Sequence, residues 1–299
     1  MSVLSTLERI KNRQRDLEFR FKKSLGQNFL ISDSVIGKII QTAKTCIEIF
    51  HQNGSSKKNG KTHLHLIEVG PGLGSLTDHL KNLGLPLILL EFDSQLVAYW
   101  RELGQSVIEG DALRLDWSQF SDPYIVVSNL PYQIAASFVI DRSTDSSQNC
   151  QGMVLMFQKE VAERITASVG SREYGFLSVV SQSFWHIRRV VDVLPDHFYP
   201  KPKVKSRVLL FLPQITHLNR EEFKNFIKKC FLHPRKTLSN NWRDAFPNDY
   251  HYLLSLLRGY SPQVRPHQVS VSQYQELFAK WQELIHISPQ DERQNEGNQ

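Results

Sequence analysis

Cysteine is scarce in this 299-residue chain, with three, at positions 46, 150 and 230. They lie far apart and form no Cys-x-x-Cys pair, which argues against a disulfide-built scaffold and against a cysteine-rich zinc site. A cytoplasmic, reducing setting is expected. Long apolar runs are lacking too. No stretch approaches the ~18 apolar residues that a membrane span needs, and the start Met1-Ser2-Val3-Leu4-Ser5 has no basic region followed by an apolar signal core. Neither membrane insertion nor export is expected. The eleven histidines include no His-x-x-x-His pair, so no metal centre is expected, and nothing has the arrangement of a catalytic triad. There is no internal repeat.

Against these absences stand a hydrophobic content of 40% and a formal net charge of +6. The first is enough for one large domain, or one large plus one small. The second favours a polyanionic partner, because Lys and Arg gain affinity for phosphates by releasing condensed counterions.

Residues 1–23 carry Arg9, Lys11, Arg13, Arg15, Arg20, Lys22 and Lys23 among few apolar positions and read as a solvated basic helix or arm, either an exposed face with no partner or an RNA contact. Helical spacing runs from Val35 to Phe50, followed by a polar surface loop from Gln52 to Lys61. Between His63 and Pro213, short apolar runs alternate with helix-length segments: Leu64 to Val69, Leu87 to Leu90, Ser106 to Ile108, Tyr124 to Val127, and Met153 to Phe157. This pattern predicts an α/β fold, a Rossmann-like parallel sheet with helices on both faces. Ile187 to Leu194 and Arg207 to Leu212 are expected to add an antiparallel edge. After Pro213 only helical spacing remains, at Glu221 to Phe231, Tyr250 to Leu257 and Val271 to Leu284. The expected organisation is therefore a basic extension (1–23), a sheet domain (24–213), a small all-α domain (214–287) and a disordered tail (288–299).

The strand ending at Val69 runs into Gly70-Pro71-Gly72-Leu73-Gly74. Glycines there let the backbone turn tightly towards a ligand, and the following helix offers free N–H groups. Glu91 ends the next strand, where a carboxylate can accept both ribose hydroxyls. Asp111, in Gly110-Asp111-Ala112, ends the third and can accept from an adenine amino group. Acidic residues at strand ends are often only helix caps, but three features in register along one sheet edge point to a nucleotide-like ligand. A dinucleotide fits less well than S-adenosylmethionine. The turn is not Gly-x-Gly-x-x-Gly, and Pro71 removes an N–H that a pyrophosphate would use.

The fourth strand ends in Ser128-Asn129-Leu130-Pro131-Tyr132. An amino group conjugated to a purine is a poor nucleophile, because its lone pair is delocalised into the ring. The Asn129 side-chain carbonyl and the Leu130 backbone carbonyl could accept its two hydrogens and turn that lone pair outward. Pro131 would help to aim the second carbonyl, and Tyr132 offers a face for stacking. The plain alternative is a β-turn with a buried tyrosine.

With these motifs in place the chain resembles the ribosomal RNA adenine dimethyltransferases of the small subunit, the KsgA type. The resemblance extends from Lys23 to about Leu284. It is carried by Lys23-Ser24-Leu25-Gly26-Gln27-Asn28-Phe29-Leu30, Glu68 to Gly74, and Asn129-Leu130-Pro131-Tyr132. Further along it continues through Gln158-Lys159-Glu160-Val161-Ala162, Tyr174-Gly175, Phe198-Tyr199-Pro200-Lys201-Pro202-Lys203-Val204 and Arg235-Lys236-Thr237-Leu238. It implies an S-adenosylmethionine-dependent methyltransferase that modifies adenine in small-subunit ribosomal RNA, acting as a monomer. It also implies that Asn28, Leu30, Gly70, Gly72, Glu91, Asp111, Ala112 and Asn129 line the cofactor and target site, with Phe198 stacking on the target base opposite Tyr132. Lys201, Lys203, Lys205, Arg235 and Lys236 are the expected RNA contacts. Gln133, Ala135, Ala136, Pro234 and His267 depart from the usual pattern without touching the acceptor pair. Three other readings remain to be weighed. They are a large-subunit enzyme, which the Gly70-Pro71-Gly72 turn, Leu130 and Arg235 to Leu238 disfavour, a non-catalytic assembly factor, and a small-molecule methyltransferase, which would leave the basic segments without a purpose.

Overall fold

The computed structural model describes residues 4–22, 26–52 and 63–287. The loop expected from Gln52 to Lys61 lies outside these residues apart from Gln52 itself, as do Lys23-Ser24-Leu25 and the tail from Ser288. Two compact units divide the described chain. One lies within Met1–Arg142, Ser147–Glu163 and Trp185–Pro213, the other within Ser143–Ser146, Arg164–Phe184 and Gln214–Gln299.

The first unit is built on strands β1 (Phe29–Leu30), β2 (His65–Val69), β3 (Leu87–Glu91), β4 (Ser106–Glu109), β5 (Tyr124–Ser128), β6 (Cys150–Gln158), β7 (Trp185–Val193), β8 (Phe198–Tyr199) and β9 (Ser206–Pro213). Its helices are α1 (Thr6–Asp16), α2 (Asp33–Gln52), α3 (Thr77–Leu80), α4 (Ser94–Glu102), and α5 and α6, which begin at Tyr132 and Lys159. Seven strands form one sheet in the order β4-β3-β2-β5-β6-β9-β7. The first five are parallel, and β9 and β7 are antiparallel. The sequence pattern anticipates both features. Parallel strands are covered on both faces and so read as continuous apolar runs; all five residues of β5 are buried.

Helix α2 covers one face. Ile36, Ile39, Ala43 and Phe50 pack there with Leu66 of β2, Ile125 and Val127 of β5, Val154 and Val208. A second core cluster, Ile10, Phe19, Phe29, Leu73, Leu89, Leu96 and Trp100, includes residues of the N-terminal segment. That segment is thus not the solvated arm that its charge suggests. Ser5 and Glu8 form a capping box that starts α1, and Ile10 and Phe19 are each no more than 2% exposed.

The two-residue strands β1 and β8 pair antiparallel, Phe29 with Tyr199 and Leu30 with Phe198. Side chains alternate along a strand. Leu30 and Phe198 therefore face the same way, into the core beside α2, while Phe29 joins the other cluster with Leu73 and Trp100.

The second unit holds α7 (Phe176–Phe184), α8 (Arg220–Cys230), α9 (Leu238–Ala245), α10 (Tyr250–Leu256) and α11 (Val271–Ile287). Helix α7 and the segment before it belong here, whereas the sequence pattern assigns them to the sheet domain. An aromatic core of Phe223, Phe226, Phe278 and Trp281 holds the unit, with ring centroids of successive pairs 5.2 to 6.1 Å apart. Cys230 accepts a hydrogen bond from Trp242 Nε1 at 3.2 Å, and burial pushes its thiol up to about 12. Among the described residues no helix is long and apolar enough to cross a membrane.

Phe198 is 3% exposed within the core beside α2, so its removal opens a cavity there. Phe198→Ala is expected to lower unfolding free energy by ~3 to 5 kcal/mol. Urea denaturation measures this, and a loss under ~1 kcal/mol would mean that the ring lies outside the core.

Candidate active site

The C-terminal ends of β4, β3, β2 and β5 lie side by side, and the loops leaving them enclose a cavity of about 250 Å³ in the first unit. Ligands of open α/β sheets bind at such edges. Asn28, Gly70, Gly72, Glu91, Asp111, Ala112, Asn129, Leu130, Pro131 and Tyr132 all line it, which brings together ten of the predicted positions. Leu30 and Phe198 are absent from the lining, because the β1–β8 register turns both side chains into the core. The expectation that Phe198 offers a stacking face beside Tyr132 is corrected accordingly. Phe29, one residue away and on the opposite face of the ladder, lines the cavity instead.

The turn after β2 has Gly70, Gly72 and Gly74 at φ of +66°, +55° and +87°. At Gly72 a Cβ would lie 2.3 Å from a ring carbon of Phe29, so both the positive φ and the close approach require glycine. The Gly72 carbonyl accepts from Trp100 Nε1 at 2.9 Å, and its N–H donates to Glu91 Oε2 at 3.3 Å. The other Glu91 oxygen accepts from the backbone of Phe92 at 2.8 Å and of Asp93 at 2.9 Å. Burial holds the pKa of Glu91 above the usual carboxylate value, and these three N–H donors oppose the rise in part.

Asp111 accepts from the Leu113 backbone at 2.9 Å, the capping role considered above, yet it also faces the cavity. Asn129 is oriented unambiguously. Its Nδ2 donates to the Asn28 backbone carbonyl at 3.0 Å. A carbonyl can only accept, so the amide nitrogen must face it, and Asn129 Oδ1 is left on the other side as an acceptor. Ser128 Oγ donates to the Val69 carbonyl at 2.5 Å, tying the end of β5 to the end of β2. Tyr132 opens α5, and its hydroxyl bonds Ser206 Oγ at 2.7 Å, which anchors the far end of the ring.

Several lining residues were not among the sequence candidates. Phe92 is 62% exposed at the rim; a large exposed aromatic directly after Glu91 was the available signal. Ser75 Oγ is buried, lines the cavity and has no hydrogen-bond partner, which no sequence pattern reveals. Glu68 is 2% exposed and accepts from Thr77 Oγ1 at 2.7 Å. Of the predicted RNA contacts, Lys201, Lys203 and Lys205 are exposed on the first unit, and Arg235 and Lys236 are exposed on the second. Lys201 pairs with Asp196 and Lys236 with Asp244.

A parallel sheet with this edge, a glycine turn and an acid at the end of each of the next two strands defines the class: a Rossmann-like methyltransferase. The comparisons narrow it. The profile of the family described as ribosomal RNA adenine dimethylase matches residues 18–282, and the chain belongs to that family. It is 48% identical over 237 residues to ribosomal RNA small subunit methyltransferase A of Bdellovibrio bacteriovorus, covering 78% of this chain and 81% of the relative. The Staphylococcus haemolyticus protein of the same name is 31% identical, covering 92% and 95%. In fold, the chain is similar to a dimethyladenosine transferase from Plasmodium falciparum, with a TM-score of 0.68 at 24% identity over 85% of this chain and 98% of that one. It is also similar to the 23S rRNA methyltransferase ErmE, with a TM-score of 0.60 at 21% identity, covering 84% and 98%.

The Glu68 carboxyl offers a test of this geometry. Burial, opposed by the Thr77 hydrogen bond and reinforced by Asp78 and Glu91, pushes it up to about 8. An unfolded glutamate titrates near 4.3. Between these values the folded chain holds a proton that the unfolded chain has released, so this contribution to stability is full below pH ~4 and is lost as pH rises to ~8. Glu68→Gln, which carries no titrating proton, should gain stability over the parent progressively from pH ~5 to ~8 in urea unfolding. A difference that stays constant across that range would show that Glu68 is ionised in the fold.

Proposed function

We propose that this chain, a cytoplasmic monomer, transfers methyl groups from S-adenosylmethionine to the exocyclic amino groups of two adjacent adenosines in small-subunit ribosomal RNA during ribosome assembly. The observation that carries this reading is the orientation of Asn129, whose amide nitrogen is held by the Asn28 carbonyl so that its own carbonyl lies on the other side. Its relatives named ribosomal RNA small subunit methyltransferase A support the substrate class.

The donor set suits a cationic, nucleoside-containing cofactor. Glu91 and Asp111 line the cavity, and the unpartnered Ser75 Oγ offers a further hydrogen bond. Glu91 would hold the ribose hydroxyls, Asp111 the adenine amino group, and the turn from Gly70 to Gly74 the polar end. S-adenosylmethionine supplies a methyl group on a sulfonium that leaves as a neutral thioether.

Everything else falls to the chain. Asn129 Oδ1 and the Leu130 carbonyl accept the two hydrogens of the target amino group, which draws its lone pair out of conjugation. Both acceptors gain strength as positive charge develops on that nitrogen, so they favour the transition state over the ground state. Tyr132, its hydroxyl pinned by Ser206, presents a ring face to a base drawn out of its stack. The proton lost from the product nitrogen passes to solvent. Lys201, Lys203 and Lys205 in the first unit and Arg235 and Lys236 in the second meet phosphates.

Asn129→Ala should bind S-adenosylmethionine and RNA nearly normally while methylating about a hundredfold to a thousandfold more slowly. Tyr132→Ala should lose ~1 to 3 kcal/mol of stacking. Single-turnover methylation of unmethylated small subunits at saturating cofactor reads both. Parental rates in Asn129→Ala would sink the mechanism, and no turnover by the parent would favour a binding-only assembly factor.

A further inference from the structure

The basic N-terminal segment has no part in the chemistry above, yet it is built into the back of the glycine turn. Arg13, on α1, donates from Nη1 to the Leu73 carbonyl at 2.8 Å and from Nη2 to Asp78 Oδ1 at 2.8 Å. Its guanidinium lies 5.5 Å from the centre of the Trp100 ring, and Trp100 Nε1 in turn donates to the Gly72 carbonyl. Two consecutive carbonyls of the turn are thus held by two side chains from outside the cavity, one of them sixty positions away in sequence. A peptide unit points its N–H opposite to its carbonyl, so fixing these carbonyls fixes which way the turn presents its N–H groups. Gly74 shows how close the brace lies: a Cβ there would be 2.3 Å from Arg13 Nη1 and 2.8 Å from Trp100.

The same segment reaches the neighbouring loop. Lys22 Nζ lies 2.9 Å from Asp93 Oδ2, a fully buried side chain, and the Asp93 N–H donates to Glu91. Aromatic contacts hold the segment between these two points: Phe19 and Phe21 pack edge-on or tilted against Phe29. Arg9 adds a second ion pair to Asp78 at 3.4 Å.

We propose that Arg13 is a positioning residue for the cofactor turn and that residues 6–22 form a back wall of the cofactor site rather than an RNA-binding arm. This rests on the cofactor reading given above. A guanidinium suits the position because its fork reaches a carbonyl and a carboxylate at once while its face lies on an indole, which an ammonium cannot do. Exposed Arg15, two residues further along the helix and paired with Asn12 and Asp16, takes no part.

The test is calorimetric titration of the full-length chain with S-adenosylmethionine, well below its melting temperature, alongside steady-state methylation and RNA binding at several salt concentrations. Arg13→Ala should weaken cofactor binding about tenfold and raise its KM to match. Its kcat at saturating cofactor should stay within about twofold, and the salt dependence of RNA binding should be that of the parent. Arg13→Lys, able to hold one acceptor at a time, should fall between, and Arg15→Ala should match the parent. Should Arg13→Ala fail to fold, Trp100→Phe keeps a ring in the core and removes the donor to Gly72; it should weaken cofactor binding several-fold. Parental cofactor affinity in folded Arg13→Ala or in Trp100→Phe overturns the inference, as does a flatter salt slope for RNA in Arg13→Ala with cofactor affinity unchanged. A parent chain that takes up no S-adenosylmethionine at all overturns the cofactor reading itself, an outcome visible before any variant is made.

Discussion

Glu91 accepts hydrogen bonds from Gly72, Phe92 and Asp93, and the walls of the cavity meet at its carboxylate. A carboxyl only 6% exposed would shed its charge if left alone; three amides aimed at it oppose that tendency. Parallel pairing of β2 with β3 brings their C-terminal ends together, but the turn after β2 can close on Glu91 only because Gly72 has a positive φ and no Cβ to strike Phe29. Phe29 in turn sits there because β1 pairs with β8 in one register. Strand order, glycine placement and a two-residue ladder thus converge on the position of one side chain.

The sheet was legible in the sequence because its central strands are covered on both sides and so must be apolar throughout, and because the turn residues between them punctuate the runs. Helices α8 and α11 were legible for the complementary reason: each buries one stripe at helical spacing. Helix α9 leaves no such stripe. Its eight residues Leu238–Ala245 bury little beyond Leu238, Asn241 and Trp242, too few for a period, and Asn241 is buried because its side chain bonds the backbone of His233 and Thr237. Strands β1 and β8 are two residues each, below the length at which alternation can be read at all.

The candidate site was legible where chemistry dictates residue type and obscure where packing does. Gly72, Glu91 and Asn129 are needed for a backbone conformation, a charge and a carbonyl, and each stands where the motif places it. Leu30 and Phe198 entered through resemblance alone, and the direction of their side chains depends on a register that no local pattern reveals; a shift of one residue would exchange Phe29 with Leu30. The N-terminal arginines misled in the opposite sense. A run of basic residues reads as a solvated face, yet Arg9 and Arg13 reach Asp78, and Arg13 also reaches the Leu73 carbonyl, groups distant in the chain that only the fold brings near.

The cavity also separates two kinds of acceptor. Glu91 ends β3 and Asp111 follows β4, and both are carboxyls; Asn129 Oδ1 and the Leu130 carbonyl follow β5 and are neutral. Under the proposed chemistry this division matters. A carboxylate beside the target nitrogen would bind its hydrogens more tightly before reaction and could hold the product, whereas a neutral carbonyl gains most of its attraction only as the nitrogen becomes positive. A carboxylate near the cofactor faces a charge that is positive before transfer and lost afterwards, so it favours uptake of the reactant form over retention of the product form. Acids on the cofactor side thus favour exchange of product for reactant, and neutral carbonyls on the acceptor side favour the transition state at the target nitrogen.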